Sequence, residues 1–580
     1  AVITDDNPRS EESQAIFAPI LEGIKKSGCC EEIELRGDHD QGKRRGYLLI
    51  PDRRRAISAV IEAAGGEDIV LIAGKGHEQY QLTREGRRFF DDSLEAAEGL
   101  SRWNVHSLAL ATRGRILQKG DASARYSRVS TDSRSIRAGD VFVALKGDRF
   151  DGHHYVEQVV AGGGTCLVLE REVEVPPSVS VLLVEDTERA LGDLAAYRRA
   201  AMKESPEPIV AAITGSSGKT TVKEMCAAIF CQRWPDREDR PSGRVLKTEG
   251  NYNNLIGLPL SLLPVTPRHR GVILEMGMNR PGEIARLAEI ADPDIACIIN
   301  VHGAHLQGLG DIDGVARAKG ELFQTCGKDT LLVINNDDER IVELAGKCSQ
   351  QKIVFGFTGE NSNPLDVWTS VPERDFHEES AFTLHVGPGQ AQVTLQVPGV
   401  HNVANALAAA AIAHAANIDL SLIARGLASY VPTSQRMQIL GGPDGSRVIN
   451  DTYNANPASM KAGIDTLSQL GRGRRVAILA DMLELGPDSE ELHREIGAHV
   501  AAASIDFLAV LGDFAPFLAA GAVEKGMEQD HVRIFSTQDD CLAWLKRLLG
   551  KGSIGEGSYI LVKGSRGMHL ENLVEGFVER

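Results

Sequence analysis

Long apolar runs, zinc-type cysteine pairs and concentrated basic stretches are missing from this sequence of 580 residues. A membrane-spanning helix requires about 20 consecutive apolar residues, and no run approaches that length. The nine cysteines form no Cys-x-x-Cys pair, so reduced thiols are expected instead of structural zinc or a disulfide framework. No signal peptide is evident. We therefore expect a cytoplasmic protein without membrane spans.

The charge balance is acidic along the whole chain. Lys and Arg number 63 and Asp and Glu number 80, which gives a net charge of −17 with neutral histidines. Binding to a nucleic-acid backbone needs a concentrated basic face, so nucleic acid is not an expected partner. Hydrophobic residues at 42% and charged residues at 25% are ordinary for folded soluble proteins, which excludes a disordered or fibrous chain.

Short apolar runs alternate with segments of helical periodicity in four blocks. This alternation is typical of α/β domains with largely parallel sheets. We place the blocks at residues 1–104, 105–206, 207–432 and 433–580. The prolines of Glu204-Ser-Pro-Glu-Pro208 predict a hinge after the second block. The predicted strands are residues 2–4, 68–74, 140–145, 166–169, 181–184, 209–214, 272–274, 295–301, 331–335, 476–479, 507–511 and 559–562, and the predicted helices are 55–64, 91–103 and 222–230.

The first block repeats parts of the fourth. Residues 1–8 resemble residues 509–516, and residues 70–75 resemble residues 560–564. Because residues 1–4 have the composition of a strand without a polar lead-in, we expect the chain to begin inside a domain. The first block is then a partial Rossmann-like domain of which the fourth is a complete copy. Strand and loop pieces also resemble one another by chance, so duplication and coincidence both stay open.

A glycine-rich turn between a predicted strand and helix is the strongest chemical signal. In Gly215-Ser-Ser-Gly-Lys-Thr-Thr221, the glycines let backbone N–H groups converge on phosphate oxygens, and the helix N-terminus adds partial positive charge. Lys219 is expected to reach the β- and γ-phosphates. Ile213 replaces the first glycine of the usual G-x-x-x-x-G-K pattern, but the turn still predicts a nucleoside triphosphate site.

Candidate magnesium ligands follow from this turn. Thr220 can supply a hydroxyl to Mg²⁺, and Glu275 follows a short apolar strand, where open α/β sheets place ligands. His302 and His305 follow another predicted strand in the same way, although isolated histidines are often surface or capping residues. Lys319, by pattern alone, is a solvated helix lysine.

Asn335-Asn-Asp-Asp338 closes the next predicted strand. Such a cluster can hydrogen-bond a ribose or a base, although Asn and Asp clusters also make turns. It lacks the Asn-Lys-x-Asp arrangement of guanine readers, so adenine is favoured.

Together these motifs resemble the ATP-binding centre of the Mur ligases, the enzymes that build the peptide stem of bacterial cell-wall precursors. The second block is similar to the UDP-sugar-binding domain of that family. The matching segments are residues 131–134, 140–153, 214–221, 248–257, 275–278, 282–284, 293–294, 305–306, 319, 399–406, 436–437 and 451–457.

The resemblance implies an α/β fold of three domains, namely a UDP-binding domain, a central P-loop ATPase domain and a C-terminal Rossmann-like domain. It is nearest to the members that add D-alanyl-D-alanine to UDP-N-acetylmuramoyl-tripeptide. These activate the peptide carboxylate as an acyl phosphate with ATP and Mg²⁺, and domain closure assembles the site and excludes water.

The resemblance also implies roles for particular residues. One Mg²⁺ is assigned to Thr220 and Glu275, and a second to His305 and a carbamylated Lys319. The catalytic candidates are Lys219, Glu275, His305 and Lys319. The ATP-binding candidates are Gly215, Ser216, Ser217, Gly218, Lys219, Thr220, Thr221, Asn335, Asp338, Arg436 and Asp451. The UDP-substrate candidates are Asp132, Ser133, Arg134, Lys146, Asn251 and Asn254.

The first block is similar to a different member, the meso-diaminopimelate-adding ligase. Its motifs resemble the amino-acid-recognition motifs of that enzyme, in which an Arg fork suits a carboxylate and a Glu suits an ammonium. No P-loop or UDP-binding domain precedes it, so we expect a catalytically incomplete remnant of a fusion. The residues concerned are Asp6, Asn7, Pro8, Arg9, Gly74 and Glu78.

Three other functions stay open. A folylpolyglutamate-synthase-like ligase shares the nucleotide site, but the second block argues against it. A P-loop switch or motor would hydrolyse nucleotide without an amine or a UDP-sugar. A scaffold that gathers other wall-synthesis enzymes would keep its role without Lys219.

Overall fold

A computed structural model divides the chain into two compact units. The described residues are 1–26, 31–32, 46–64, 68–76, 78–121, 124–147, 150–203, 208–236, 243–303, 306–358, 365–371, 378–470 and 473–578. Unit 1 consists of Ala1–Pro208, Asp236–Leu246 and Pro259–Arg270, and unit 2 of Ile209–Pro235, Lys247–Leu258 and Gly271–Arg580.

Unit 1 contains two mainly parallel sheets and a hairpin. Its strands are β1 (Val2–Ile3), β2 (Glu31–Glu32), β3 (Gly46–Leu49), β4 (Tyr80–Thr83), β5 (Gly86–Phe89), β6 (Arg115–Gln118), β7 (Arg128–Ser130), β8 (Asp140–Val143), β9 (Cys166–Leu169) and β10 (Ser180–Leu183). Its helices are α1 (Ser13–Lys26), α2 (Arg53–Ala63), α3 (Asp92–Leu100), α4 (Val105–Thr112), α5 (Val156–Ala161) and α6 (Thr187–Met202). The strand orders are β1-β3-β2, β4-β5 and β6-β10-β9-β8-β7.

The link between the first two sequence blocks is ordered. Helix α3 ends at Leu100, and the backbone of the buried Trp103 then exchanges two hydrogen bonds of 2.8 Å with Tyr126. The guanidinium carbon of Arg198, on α6, lies 4.6 Å from the centroid of a Trp103 ring. Stacking of a cation on an aromatic face stabilises this junction.

Unit 2 contains a central sheet and a C-terminal sheet. Its strands are β11 (Ile209–Thr214), β13 (Gly271–Glu275), β14 (Ile295–Ile298), β15 (Leu331–Asn335), β16 (Lys352–Thr358), β17 (Val367–Ser370), β18 (Ser380–Val386), β19 (Gly389–Leu395), β20 (Gln438–Gly441), β21 (Arg447–Asp451), β22 (Arg475–Ala480), β23 (Phe507–Leu511), β24 (Val532–Phe535) and β25 (Tyr559–Lys563). Strand β12 (Val245–Lys247) and helix α8 (Gly257–Leu262) have residues in both units.

The helices of unit 2 alternate with these strands. They are α7 (Lys219–Arg233), α9 (Glu283–Ala291), α10 (Leu306–Leu309), α11 (Ile312–Thr325), α12 (Glu339–Gly346), α13 (Val400–Ala415), α14 (Leu420–Ala428), α15 (Pro457–Gln469), α16 (Ser489–Ala502), α17 (Ala515–Glu524), α18 (Gln538–Gly550) and α19 (Glu571–Phe577). The central order runs β13-β11-β14-β15-β16-β17-β18-β19, parallel up to β17, and the C-terminal order is β20-β21-β25-β22-β23-β24, parallel from β21.

Most predicted strands are confirmed to within two residues, but two predictions were wrong. Residues 68–74 do not form a strand, and Ile69 and Leu71 are 97% and 88% exposed. A strand needs a neighbouring strand to pair its backbone groups, and no strand among the described residues pairs with this segment. Strand β14 ends at Ile298, short of the predicted Val301, because the backbone N–H of Val301 turns to the carboxylate of Asp338 at 2.7 Å.

Three further expectations concern absences or linkers. The seven cysteines in the described part of the chain are free thiols. Within the same residues, no helix combines the length and apolarity that crossing a bilayer requires. Of the predicted hinge, residues 204–207 lie outside the described residues.

Candidate functional site

The glycine-rich turn lies between the buried strand β11 and helix α7. Strand β11 pairs in parallel with β13 on one side and β14 on the other, which fixes its carboxyl end in the middle of an edge of the sheet. Gly218 caps α7 with a φ of 78°, and a side chain there would overlap the amide of Asn405. Because Gly218 is the N-cap, helix α7 begins at Lys219, three residues before the predicted start at Val222. The first-turn N–H groups have no intrahelical partner, which leaves them for a bound anion.

The turn is braced by residues that follow β14. The side-chain oxygen of Asn300 accepts from the Ser217 backbone N–H at 3.0 Å, and its amide donates to the Ser217 carbonyl at 3.2 Å. The Ser216 hydroxyl donates to the His302 carbonyl at 2.8 Å and accepts from the His302 N–H at 2.9 Å. Because both serines are held, the turn has its shape before any ligand arrives.

Lys219 lies inside this turn. Its ammonium donates to the Gly215 carbonyl at 2.8 Å, and burial lowers the pKa of its side chain. A desolvated cation beside the N-terminal N–H groups of a helix is well suited to a polyphosphate, because the phosphate charge compensates the cost of its burial.

Thr220 and Glu275 form an oxygen-rich corner beside Lys219. The Thr220 hydroxyl donates to one oxygen of the buried Glu275 carboxylate at 2.8 Å. The side-chain amide of Asn253 donates to the other carboxylate oxygen at 2.9 Å, and Thr248 Oγ1 accepts the Glu275 N–H at 3.0 Å. In the described ranges no three His, Cys, Asp or Glu side chains converge as a complete metal site. A hydroxyl and one oriented carboxylate fit Mg²⁺, which completes its shell with water and phosphate oxygens.

Arg436 reaches the same corner from the C-terminal part of unit 2. Its guanidinium donates to the Thr220 hydroxyl at 2.8 Å, and its central carbon lies 3.9 Å from the ring centroid of Tyr453. Tyr453 is held through its backbone N–H, which donates to the Gln435 carbonyl at 3.1 Å. The turn, Glu275 and Arg436 are therefore brought together, as the ATP-site prediction requires.

Asn335, Asp338 and Asp451 make contacts within the protein. The Asn335 amide donates to the Ile299 carbonyl at 2.8 Å, and Asp338 accepts the Val301 N–H and caps α12. Asp451 pairs with the buried Lys563 ammonium at 2.6 Å and accepts the Met437 N–H at 3.2 Å. These contacts shape the loops around the site, and the nucleotide-binding roles of the three residues stay predictions.

Lys319 is almost completely buried on α11, contrary to the solvated lysine that the pattern alone predicts. Among the described residues its ammonium contacts only the Met278 thioether, at 3.9 Å. Burial lowers its pKa well below the usual value, and the neighbouring Lys219 adds to the effect. Burial also lowers the pKa of His302. His305 lies outside the described residues.

The UDP-substrate candidates fall in both units. In unit 1, Arg134 donates two hydrogen bonds of 2.8 Å to Asp132 and lowers the pKa of that carboxyl to about 2. Ser133 lies between them and is half-buried, while Lys146 is exposed. In unit 2, Asn251 and Asn254 are exposed, and the Asn254 side chain accepts the Gly257 N–H at 2.8 Å at the start of α8. Their binding roles stay predictions.

The motif residues of the first block form a cluster around a buried lysine. The Lys75 ammonium lies 2.9 Å from Asp6 and 3.3 Å from the Asn7 side-chain oxygen. The Asn7 amide donates to Glu78 at 3.2 Å. Pro8 and Arg9 follow directly, and Arg9 has a φ of 53°. Gly74 has a φ of 117° and lies against Asp6 and the guanidinium of Arg53. The two motifs are therefore brought together, and their amino-acid-binding role stays a prediction.

Several residues that shape this site have no individual signal in the sequence. Examples are Asn300, Asn253 and Tyr453. The last two lie in segments that resemble the family, but the resemblance gives neither residue a role of its own. Asn300 stands two residues before His302 at the end of a predicted strand, so its position at the sheet edge could have indicated it. Which backbone groups its amide contacts depends on the tertiary structure.

Comparisons with known proteins agree with this geometry. The family profiles described as Mur ligase family catalytic domain, Mur ligase middle domain, and Mur ligase glutamate ligase domain match residues 125–199, 213–413 and 435–566. The chain is 36% identical over 453 residues to the UDP-N-acetylmuramoyl-tripeptide--D-alanyl-D-alanine ligase of Escherichia coli, covering 78% of this chain and 93% of that protein. The Bacillus subtilis enzyme of the same name is 37% identical, with the same two shares.

Solved structures give the same result. A crystal structure of MurF from Acinetobacter baumannii matches with a TM-score of 0.73 and 34% identity, covering 82% of this chain and 98% of that chain. MurF from Thermotoga maritima in complex with ADP matches with a TM-score of 0.65 and 26% identity, covering 78% and 96%. The predicted three-domain α/β architecture is confirmed, and the chain belongs to the Mur ligase family.

Proposed function

We propose that this chain is an ATP-dependent ligase that joins D-alanyl-D-alanine to UDP-N-acetylmuramoyl-tripeptide. The observation that carries the proposal is the likeness to the Escherichia coli and Bacillus subtilis ligases of that name, at 36% and 37% identity over 93% of their length. The braced turn around Lys219, with Thr220, Glu275 and Arg436 beside it, supports nucleotide use.

Amide formation from a carboxylate needs activation, because a carboxylate is a poor electrophile. In the proposed reaction a carboxylate oxygen of the tripeptide attacks the γ-phosphorus, and the bond to the ADP leaving oxygen breaks. The dipeptide amine then attacks the acyl carbon, phosphate leaves, and the nitrogen loses a proton. The first step brings two anions together, the carboxylate and the triphosphate, and the second develops negative charge on the acyl oxygen of a tetrahedral intermediate. Lys219 and Arg436 would provide fixed positive charge that offsets the repulsion.

Thr220 and Glu275 are the residues that would hold a Mg²⁺ ion. When bound, the ion would neutralise phosphate charge and help to orient the transferring group. Asn253 and Thr248 hold the Glu275 carboxylate by hydrogen bonds to its side chain and its backbone N–H. The ligand set stays incomplete without substrate oxygens, so metal binding is expected to strengthen when nucleotide is present.

Lys319 is proposed to be carbamylated and, with His305, to hold a second Mg²⁺. The support is its burial without a carboxylate among the described residues, since an isolated buried ammonium is costly. Carbamylation replaces that cation with an anionic oxygen donor.

The remaining assignments extend the proposal. Asp132, Ser133, Arg134, Lys146, Asn251 and Asn254 would contact the UDP-linked substrate, and Asn335, Asp338 and Asp451 the nucleotide. The proposal also includes domain boundaries at residues 104, 206 and 432, and a cytoplasmic site of action. In the first block, the cluster around Lys75 would hold an amino acid.

A direct assay tests the function. The purified chain is incubated with ATP, Mg²⁺, D-alanyl-D-alanine and UDP-linked tripeptide, and the pentapeptide product and ADP are measured by mass spectrometry. Lys219→Ala and Glu275→Ala should each abolish product. Lys525→Ala, which removes an exposed lysine after α17, is the matched control and should leave turnover unchanged.

Other outcomes would point to the competing functions. Phosphate release that depends on a folate and not on the UDP-tripeptide would favour a folylpolyglutamate-synthase-like ligase. Hydrolysis without any amine would favour a nucleotide switch. Near-normal turnover in either active-site variant would refute the site assignment.

A further inference from the structure

An exposed arginine lies at the edge of the C-terminal sheet where two parallel strands end. Arg566 follows β25 by three residues, and Tyr453 follows the neighbouring strand β21 by two. The two strands pair in parallel, with Asp451 opposite Lys563. The carboxyl ends of parallel strands are where open α/β sheets bind ligands, so both side chains are at a position suited to substrate contact.

The charge of Arg566 is not neutralised within the described part of the chain. Its guanidinium donates to the Tyr453 hydroxyl at 3.3 Å, and no described carboxylate lies within ion-pair distance. The neighbouring cation Lys563 is different, because it is buried and pairs with Asp451 at 2.6 Å. Arg566 is therefore an exposed cation at the sheet edge, and its remaining guanidinium N–H groups can donate to an anion.

Tyr453 connects this arginine to the nucleotide site. The guanidinium carbons of Arg436 and Arg566 lie 3.9 Å and 5.2 Å from the centroid of the Tyr453 ring. Arg436 also donates to the Thr220 hydroxyl. One aromatic side chain thus separates the available cation from the group that contacts the P-loop.

On the proposed function, the incoming dipeptide must place its amine near the activated carboxylate while its own carboxylate is held elsewhere. We infer that Arg566 binds the free carboxylate of the dipeptide. An extended dipeptide spans about 7 Å, which exceeds the 5.2 Å from the Arg566 guanidinium carbon to the centroid of the Tyr453 ring. A planar guanidinium pairs with a carboxylate through two parallel hydrogen bonds, so Arg566 would select substrates with a free acid end.

The test compares two substrates in two proteins. Initial rates are measured for the wild-type chain and Arg566→Ala with D-alanyl-D-alanine and with its C-terminal amide. We expect the wild-type protein to prefer the acid in kcat/KM by about tenfold or more, and the variant to lose that preference. In the variant the KM for D-alanyl-D-alanine should rise by a similar factor, while the KM for ATP changes less than about threefold.

Two further variants separate binding from general damage. Arg566→Lys keeps the charge but loses the planar fork, so it should recover only part of the acid preference. Arg547→Ala removes an exposed arginine on α18 and should behave like the wild type. Thermal unfolding of each variant checks that the fold is intact.

The inference and the proposed function fail in different ways. If the wild-type chain does not couple the dipeptide at all, the proposed function is wrong and the inference falls with it. If the wild type couples the dipeptide but Arg566→Ala keeps the full preference for the acid, only the inference is wrong. A variant in which the KM for ATP alone rises would assign Arg566 to the phosphates instead, and would also overturn it.

Discussion

Asn300 offers a quantitative test of how the glycine-rich turn before Lys219 is held and whether it binds nucleotide as proposed. Its side chain makes hydrogen bonds of 3.0 Å and 3.2 Å to the backbone of Ser217. Each such bond contributes about 0.5–1.5 kcal/mol, so Asn300→Ala should remove about 1–3 kcal/mol of pre-organisation. If the turn of the variant regains its ordered shape only when nucleotide binds, the binding free energy is reduced by that amount, and ATP affinity should fall by about 5- to 150-fold.

Asn300→Asp makes the test sharper. The aspartate can still accept the Ser217 N–H, but it cannot donate to the Ser217 carbonyl, and it adds negative charge near the proposed position of the phosphates. We therefore expect ATP affinity to decrease in the order wild type, Asn300→Ala, Asn300→Asp. Isothermal titration calorimetry with ATP measures the three affinities directly.

The control for this series is Asn572→Ala, which removes an exposed asparagine on α19 and should bind ATP like the wild type. Equal affinity of Asn300→Asp and the wild-type protein would refute the reasoning, because the repulsion and the lost hydrogen bond must both weaken binding.

Three other predictions concern single residues. Native mass spectra recorded with bicarbonate should show one carbamate group on Lys319. Burial lowers the pKa of this lysine and favours the neutral amine, which is the form that reacts with CO₂. An enzyme that is active without the carbamate would contradict the prediction. Arg268→Ala should lower the free energy of unfolding of unit 1 by about 1–3 kcal/mol in urea titrations. The Arg268 guanidinium pairs with Glu95 at 2.9 Å and with Glu98 at 2.6 Å, both on α3. An unchanged unfolding midpoint would show that these ion pairs do not stabilise the unit. Gly512→Ala should lower the melting temperature, with a loss of about 1–3 kcal/mol in the free energy of unfolding. The φ of Gly512 is 108°, and the new methyl group would overlap the Asp481 carboxylate. An unchanged melting temperature would mean that the loop can move to accommodate the methyl group.

The sequence alone predicted most of the strands and the glycine-rich turn that we propose as the nucleotide site. Buried strands such as β9, β11 and β23 coincide with the predicted ranges, because a continuous apolar run between turns leaves little choice but a core strand. The turn before Lys219 was also predictable, since its glycines and the following helix are adjacent in the chain. These features are local, so the order of residues along the chain contains the information.

Residues 68–74 mark the limit of that reasoning. Their composition is that of a strand, and the similar residues 560–564 lie mostly within β25, between β21 and β22. The first segment has no such neighbours in the described ranges and leaves Ile69 and Leu71 exposed. A strand is stabilised by the backbone groups beside it, so a local pattern cannot decide the outcome.

The contacts that orient the chemistry were decided by the tertiary structure. Asn300 meets Ser217 across 83 residues of sequence, and Arg436 meets Thr220 across 216. No periodicity or motif relates such positions, because side-chain hydrogen bonds depend on which strand ends are neighbours and how loops turn. The sequence by itself determined a glycine-rich turn before a helix, a carboxylate after a strand and an α/β framework. Only the folded chain determined that Asn300 and Asn253 hold the turn and the carboxylate, and that Tyr453 lies against Arg436.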